Sequence, residues 1–249
     1  MIWYSELMQI IKTHSFEIAA NIFGDDNASR VAILMPGRLD TKDYISFTIH
    51  AEYLAQRGYL VAAIDMPGTW DSPGSLSDYT TSTYIQVINE LIEDFGNRPT
   101  LLLGHSRGGA TAMLVSTNPA VAAIVVVNAA YGNPSVPEPE EVVNGFLREE
   151  RDLPPGNVRT EVKVSFELPM NYFNEGARHN PVQALKDFKK PKLLIHATED
   201  EFVSVLKVKE IYETLGEPKS FREIDGTHDY RLFPEVIQTV NDALGKFLE

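Results

Sequence analysis

Gly104-His105-Ser106-Arg107-Gly108 sets a serine two positions from a glycine on either side, directly after the apolar run Thr100 to Leu103 and before a helical stretch beginning near Gly109. In a strand-to-helix turn this tight, a side chain at either glycine position collides with the turn, and the serine hydroxyl is aimed outward over the helix N-terminus. The chemistry such a serine offers is nucleophilic attack. The competing reading is a serine in an ordinary glycine-rich turn; the strand on one side and the helix on the other favour the nucleophile.

A serine hydroxyl is a weak nucleophile at neutral pH, so a base within hydrogen-bond reach and a third group fixing that base's tautomer are required. Of six histidines, His228 is selected by its place in Asp225-Gly226-Thr227-His228, a loop after the strand-like Lys219 to Ile224 and before the final helix. Loops of this kind lie at the carboxyl edge of an α/β sheet, where active sites gather. His105 is bound into the serine turn, His196 ends a buried strand, His50 lies on a helix, and His14 and His179 fall in segments of undefined structure. Glu199-Asp200-Glu201 leaves a buried strand just before a helix. Asp200 is the candidate orienting acid because Asp200 to Val203 has the form D-x-x-V, with the valine packing the next helix. Helix capping is the competing reading for Asp200 and the preferred one for Glu199 and Glu201.

Acyl transfer also needs two N–H donors for a developing oxyanion. The backbone N–H of Arg107 is one candidate. The other is expected in Met35-Pro36-Gly37-Arg38-Leu39-Asp40, where Gly37 admits close backbone approach. Arg38 N–H is the choice, Leu39 the rival, and an ordinary Pro-Gly turn the alternative. Both arginine side chains flank this position and would suit a substrate carboxylate or phosphate; pairing of Arg107 with a nearby acid is the preferred reading.

These residues need a scaffold. Val31 to Met35, Tyr59 to Ile64, Thr100 to Leu103, Val121 to Val127 and Lys192 to His196 are continuous apolar runs, the pattern of parallel strands covered on both faces. Helical stretches alternate with them, near Tyr44 to Gln56, Thr83 to Phe95, Gly109 to Ser116, Ser204 to Leu215 and Pro234 to Phe247. In the last, Val236, Ile237, Val240, Leu244 and Phe247 share one face. Ser15 to Phe23, the turn Gly24-Asp25-Asp26-Asn27 and Val31 suggest an antiparallel hairpin leading into the parallel region. From Asn133 to Asn180 the alternation breaks: a helix is expected at Glu140 to Arg151, a break at Pro154-Pro155-Gly156 and a strand at Thr160 to Leu168, together reading as an insertion. No repeat or low-complexity segment is present.

The 249 residues suit one α/β domain, residues 1–249. A net charge of -13 without a basic cluster disfavours nucleic acid and anionic membranes as partners. The absence of cysteine excludes disulfides, thiolate nucleophiles and Cys-ligated metal. Met1 to Phe16 has neither the basic start nor the cleavage site of a secretory leader, so a cytoplasmic address is the default expectation. The longest apolar runs are about half a membrane span.

Taken together the chain resembles the α/β-hydrolase superfamily from about Ser15 to Glu249. Besides the serine turn, Asp65-Met66-Pro67-Gly68-Thr69-Trp70-Asp71-Ser72 resembles the family's D-x-x-G-x-G-x-S segment, and the order Ser106, Asp200, His228 is the family's order. The resemblance implies a three-layer fold: a mostly parallel sheet of about eight strands, one antiparallel near its start, helices on both faces, and a short cap at residues 133–180. It also implies no metal and no organic cofactor. Pro36-Gly37 stands where His-Gly is usual, Thr69-Trp70 replaces a glycine-containing pair, and Ala197 stands where a glycine often precedes the acid. The expected reaction is hydrolysis of a small carboxylic ester through an acyl-enzyme. Thioester, amide or peptide, carbon–carbon bond and perhydrolytic chemistry would use the same machinery, and a non-catalytic binding protein of this fold is the alternative of another class. Tyr131, Tyr172, Phe173 and Trp70 are candidate pocket aromatics, core or cap packing is the commoner role for such residues, and none is named as a binding residue.

Overall fold

Strands whose every side chain is apolar must be covered on both faces, and their alternate residues then serve two separate cores. The computed structural model describes residues 7–249; residues 1–6, part of the stretch read for a leader, lie outside the described residues. Its main sheet has eight strands. In chain order these are β1 (Leu7–Lys12), β2 (Glu17–Phe23), β3 (Arg30–Met35), β4 (Tyr59–Ile64), β5 (Thr100–His105), β6 (Val121–Val127), β10 (Lys192–Ala197) and β11 (Lys219–Ile224), arranged spatially as β1-β2-β4-β3-β5-β6-β10-β11. From β4 across to β11 every neighbouring pair is parallel; β2 is antiparallel to both β1 and β4.

One face carries α1 (Ile45–Ala55) and α7 (Pro234–Phe247), whose Phe47, Leu54, Val240 and Leu244 pack on Leu101, Leu103, Val125 and Ile195. The other carries α2 (Thr81–Asp94), α3 (Ser106–Val115), α5 (Pro181–Asp187) and α6 (Val205–Glu213), with Val87, Leu91, Met113 and Ile211 packed on Leu102, Ile124, Val126 and Leu194. Consecutive residues of β5 and β6 thus point into opposite layers, each fully buried aliphatic side chain contributing about 1.5–3 kcal/mol. This is the three-layer α/β architecture expected from the sequence. Among the described residues no helix is long and apolar enough to cross a membrane.

The hairpin expected across Gly24 to Asn27 does not form. The antiparallel partner of β2 on one side is β1, joined to it through residues 13–16, and on the other side β4 lies between β2 and β3. The short crossover β3-α1-β4 lays β4 parallel against β3 and occupies that edge. Gly24 crosses the start of β4 so closely that a Cβ there would stand 2.2 Å from the Tyr59 carbonyl oxygen.

The helix expected at Glu140 to Arg151 is also absent. The chain forms β7 (Val142–Val143), β8 (Phe146–Asp152) and β9 (Lys163–Pro169), a separate antiparallel three-stranded sheet, followed by α4 (Asn171–Gly176). Asn144 and Gly145, with φ of 52° and 84°, make the two-residue turn that pairs Val143 with Phe146. Leu, Arg and Glu favour a helix locally, but in β8 they alternate, with Leu147, Glu149 and Arg151 turned inward. Asp152 ties this sheet to the body: its carboxylate accepts from Arg231 at 2.6 Å, Lys163 at 2.8 Å and the Thr160 N–H at 3.1 Å, and its carbonyl accepts from the Tyr44 hydroxyl at 3.0 Å.

Two further polar knots fix the sheet's margins. Lys42 Nζ is fully buried 2.7 Å from Asp43, 3.1 Å from Asp65 and 2.6 Å from Asp71, and the Lys42 backbone N–H donates to Asp65 Oδ1, so the loop after β3 is tied to the end of β4. Glu90 of α2 accepts from Thr13 Oγ1 at 2.7 Å, the Ser15 N–H at 2.8 Å and Gln86 at 2.8 Å, holding the β1–β2 turn. Burial works against the Glu90 charge, but these donors push its carboxyl down to about 2.

Replacing Lys42 by Met leaves Asp65 buried without its cation, so Lys42→Met is expected to lower stability by about 3–5 kcal/mol in urea unfolding. Glu90 has a depressed folded-state pKa, so its stabilisation is complete above the unfolded value of about 4.3 and is lost as pH falls through about 2. The urea midpoint of Glu90→Gln is therefore expected to fall less steeply than that of wild type between those pH values.

Candidate active site

The end of β5 and the start of α3 meet at Ser106, whose φ of 51° places a non-glycine residue in the left-handed region. The turn is possible because the residues two positions to either side of Ser106 are glycines. A Cβ on Gly104 would lie 2.4 Å from the Gly108 carbonyl group, and one on Gly108 would lie 2.1 Å from the Met35 carbonyl oxygen at the end of β3. The Ser106 carbonyl accepts from Ala130 N–H at 3.0 Å, pinning the turn to the end of β6. Strain held this way by surrounding backbone is a recurrent feature of functional turns.

Parallel register brings the other two sequence-selected residues to the same edge: Ala197 pairs with Ile224, and the loops beyond them carry Asp200 and His228. His228 Nε2 is 2.8 Å from Ser106 Oγ, and His228 Nδ1 is 2.7 Å from Asp200 Oδ2. The other Asp200 oxygen accepts from the N–H groups of Phe202 and Val203, each at 2.9 Å. Burial disfavours the Asp200 charge, but the hydrogen bond and charge of His228, with these two N–H groups, hold its carboxyl below the ordinary value. The acid therefore stays ionised at neutral pH, and its oxygen accepts the proton of Nδ1, leaving Nε2 to face the serine.

Val203 packs on the core as the D-x-x-V pattern anticipates. Helix capping by Glu199 and Glu201 is not observed: Ser204 caps α6, accepting from the Lys207 N–H, while Glu201 Oε2 accepts from the His228 N–H at 2.9 Å. The acid at 201 thus holds the histidine loop. Phe202, 75% exposed, sets its ring edge against the His228 imidazole with centroids 4.7 Å apart.

Three residues that the sequence reading left out or set aside hold the loops of the histidine and the acid. Asn128, at the end of β6 with φ of 46°, donates to the carbonyls of Thr227 and His228 at 3.1 and 3.0 Å and accepts from the Ala197 N–H at 2.8 Å. His105 Nε2 donates to the same His228 carbonyl at 3.1 Å and presents Nδ1 to Asp40 at 3.5 Å. Burial opposes the charged form of His105, yet hydrogen bonding and attraction from Asp40 raise its pKa. His196 is buried, its pKa lowered by burial, and donates through Nε2 to the Val203 carbonyl at 2.7 Å. A polar residue ending the apolar run Val121 to Val127 was the available signal for Asn128, since asparagine tolerates left-handed backbone.

The loop after β3 lies against the serine: a Cβ on Gly37 would be 3.2 Å from Ser106 Cβ. Leu39 N–H donates to the Tyr79 hydroxyl at 2.8 Å, so the rival donor is already engaged. Arg38 N–H and Arg107 N–H meet no acceptor among the described residues. The Arg38 carbonyl accepts two bonds from Arg151 of β8, at 2.9 and 2.7 Å, and the Leu39 carbonyl accepts from Trp70 at 2.9 Å. The peptide between residues 38 and 39 is held from both sides. Arg151 and Tyr79 come from distant chain segments, so local sequence carried no sign of either role.

The two arginine side chains part company. Arg38 pairs with Glu149 at 2.7 Å. Arg107, expected to pair with an acid, has no carboxylate within ion-pair distance among the described residues. It reaches the Gly132 carbonyl at 3.4 Å and the Thr81 hydroxyl, beside the Tyr172 ring. A cavity of about 470 Å3 joins Ser106, His228 and Arg107 to the underside of β8. Tyr131 and Tyr172 line it, whereas Phe173 and Trp70 pack within the fold.

A sequence profile of the alpha/beta hydrolase fold matches residues 33–171. The chain is 21% identical over 235 residues to the palmitoyl-protein thioesterase ABHD10, mitochondrial, of Mus musculus, covering 86% of this chain and 75% of that protein. Among solved structures it is similar to Est1E from Butyrivibrio proteoclasticus with ferulic acid bound, at 18% identity and a TM-score of 0.76, covering 96% of this chain and 97% of that one. It is also similar to alpha/beta hydrolase domain-containing protein 10 from mouse, at 17% identity and a TM-score of 0.75, covering 97% and 98%.

Asn128→Ala leaves the buried Ala197 N–H and the part-buried Thr227 carbonyl without their partner and the His228 carbonyl with His105 alone, so it is expected to lower stability by about 1–3 kcal/mol in thermal or urea unfolding. Amide exchange should quicken in residues 225–229.

Proposed function

The chain belongs to the alpha/beta hydrolase fold family, and from that premise we propose that it is a serine hydrolase cleaving a small carboxylic ester through an acyl-enzyme intermediate. The observation that carries this reading is the unbroken hydrogen-bonded line from Ser106 through His228 to Asp200, at 2.8 and 2.7 Å. In the proposed cycle Ser106 Oγ attacks the ester carbonyl while His228 Nε2 takes its proton. Asp200, ionised throughout, stabilises the imidazolium. Arg38 and Arg107 turn their uncommitted N–H groups to the oxyanion. The intermediate collapses as His228 returns the proton to the departing alkoxide, freeing the alcohol and leaving the acyl group on Ser106. A water molecule, deprotonated by His228, then attacks the acyl carbonyl. Collapse of that second intermediate frees the carboxylic acid as Ser106 regains its proton from His228. Residues 133–180 serve in this reading as a short cap over the reacting atoms.

A thioester substrate is the second reading, favoured by the thioesterase relative in mouse. Its acyl-enzyme is the same, and only the leaving atom differs.

Labelling with a fluorophosphonate probe is expected to give one adduct on Ser106 in wild type and none in Ser106→Ala. His228→Ala is expected to lower kcat by roughly 10⁶-fold. Rates on matched short-chain esters and thioesters then rank the two readings. A folded wild type that takes no label would instead support a binding protein that has kept the fold without the reaction.

A further inference from the structure

The cavity beside Ser106 is lined by six cationic residues and five acidic ones, in a chain whose net charge is -13. Five of the cations have an acid at hand. Arg38 and Arg151 share Glu149, while Arg159, Lys163 and Arg231 share Asp152. Arg107 is the exception. Its residue is 5% exposed, its Nε has no hydrogen-bond partner, and no carboxylate lies within ion-pair distance among the described residues. Its guanidinium donates to the Thr81 hydroxyl, behind the cavity lining, and meets the Gly132 carbonyl and the Tyr172 ring, both of residues that line the cavity. Tyr131, which also lines the cavity, has its hydroxyl buried without a hydrogen-bond partner.

An arginine is charged at every physiological pH, and a buried charge lacking a counterion is costly unless something supplies one. Neutral carbonyl and hydroxyl acceptors orient the guanidinium but do not neutralise it. On this geometry the Arg107 guanidinium, beside the nucleophile, can take its counterion from the substrate.

Resting on the serine-hydrolase reading above, we propose that the site takes esters bearing a free carboxylate, and that the Arg107 guanidinium binds that carboxylate. The residue after the nucleophile would then act twice: its N–H on the oxyanion and its side chain on the substrate's charge. Because guanidinium and reacting oxygen belong to adjacent residues, the carboxylate must lie within a few atoms of the scissile bond.

The test compares kcat/KM on 4-nitrophenyl hexanoate with that on the 4-nitrophenyl monoester of adipic acid, matched in length and differing in one terminal carboxylate. Phenyl hexanoate and 4-carboxyphenyl hexanoate form a second pair, with the charge on the leaving group. Wild type is expected to favour the charged member of one pair about tenfold or more, and that preference should vanish in Arg107→Gln and return in part in Arg107→Lys. The pair that responds tells which side of the bond holds the carboxylate. Equal wild-type rates within both pairs would overturn the proposal while leaving the hydrolase reading intact, as would an equal loss on charged and neutral esters in a folded Arg107→Gln. A wild type that neither hydrolyses any of the four esters nor labels at Ser106 would overturn both.

Discussion

Everything at this edge of the sheet depends on two backbones touching. The start of α3 lies so close to the end of β3 that the Gly108 α-carbon can carry no substituent: a Cβ would stand 2.1 Å from the Met35 carbonyl oxygen. That approach forces Ser106 into left-handed backbone and lifts its hydroxyl clear of the sheet. It also brings the loop after β3 against the serine, so a pair of free N–H groups and the hydroxyl arise from one contact. Parallel register does the rest, delivering the loops after β10 and β11 to the same height.

Around this contact the site is held by polar rather than apolar packing. Asn128 and His105 grip the His228 carbonyl from β6 and β5, and Glu201 grips its N–H. On the other side Lys42 binds three carboxylates, and Arg151 seizes the Arg38 carbonyl. Hydrogen bonds have angular preferences that hydrocarbon contacts lack, which suits groups whose placement matters within fractions of an ångström. The sheet's two apolar cores supply stability; the polar brackets at its carboxyl edge supply geometry.

Legibility in the sequence followed the range of the interactions. Strands β4 and β6 and helix α7 were readable to the residue because continuous apolar runs and a single buried face are local properties. Ser106, Asp200 and His228 were selectable because chain order and loop position constrain them, and the structure brings the three side chains into one hydrogen-bonded line. The segment before Arg151 was misread because Leu, Arg and Glu favour a helix locally, while the Asn144-Gly145 turn and the charged surroundings of β8 impose a strand. The turn after β2 was misread because strand adjacency depends on where the α1 crossover returns. The ion pair expected of Arg107 does not form among the described residues for a related reason: which acids come near in space cannot be read from neighbours in the chain.

The grip of Arg151 on the Arg38 carbonyl also bears on how such a protein can diversify. The three-stranded sheet over the cavity looks like an interchangeable module, a loop-bounded excursion from the framework. Yet one of its side chains fixes the loop whose N–H the proposed reaction uses, and Glu149 beside it holds the Arg38 side chain. Exchanging this sheet for one of another shape would change the pocket and also release that loop. New specificity is therefore reached more readily by altering single residues on the cavity side of β8, with 149 and 151 held constant, than by recombining whole segments. The small sheet and the loop after β3 are coupled through Arg151 and Glu149.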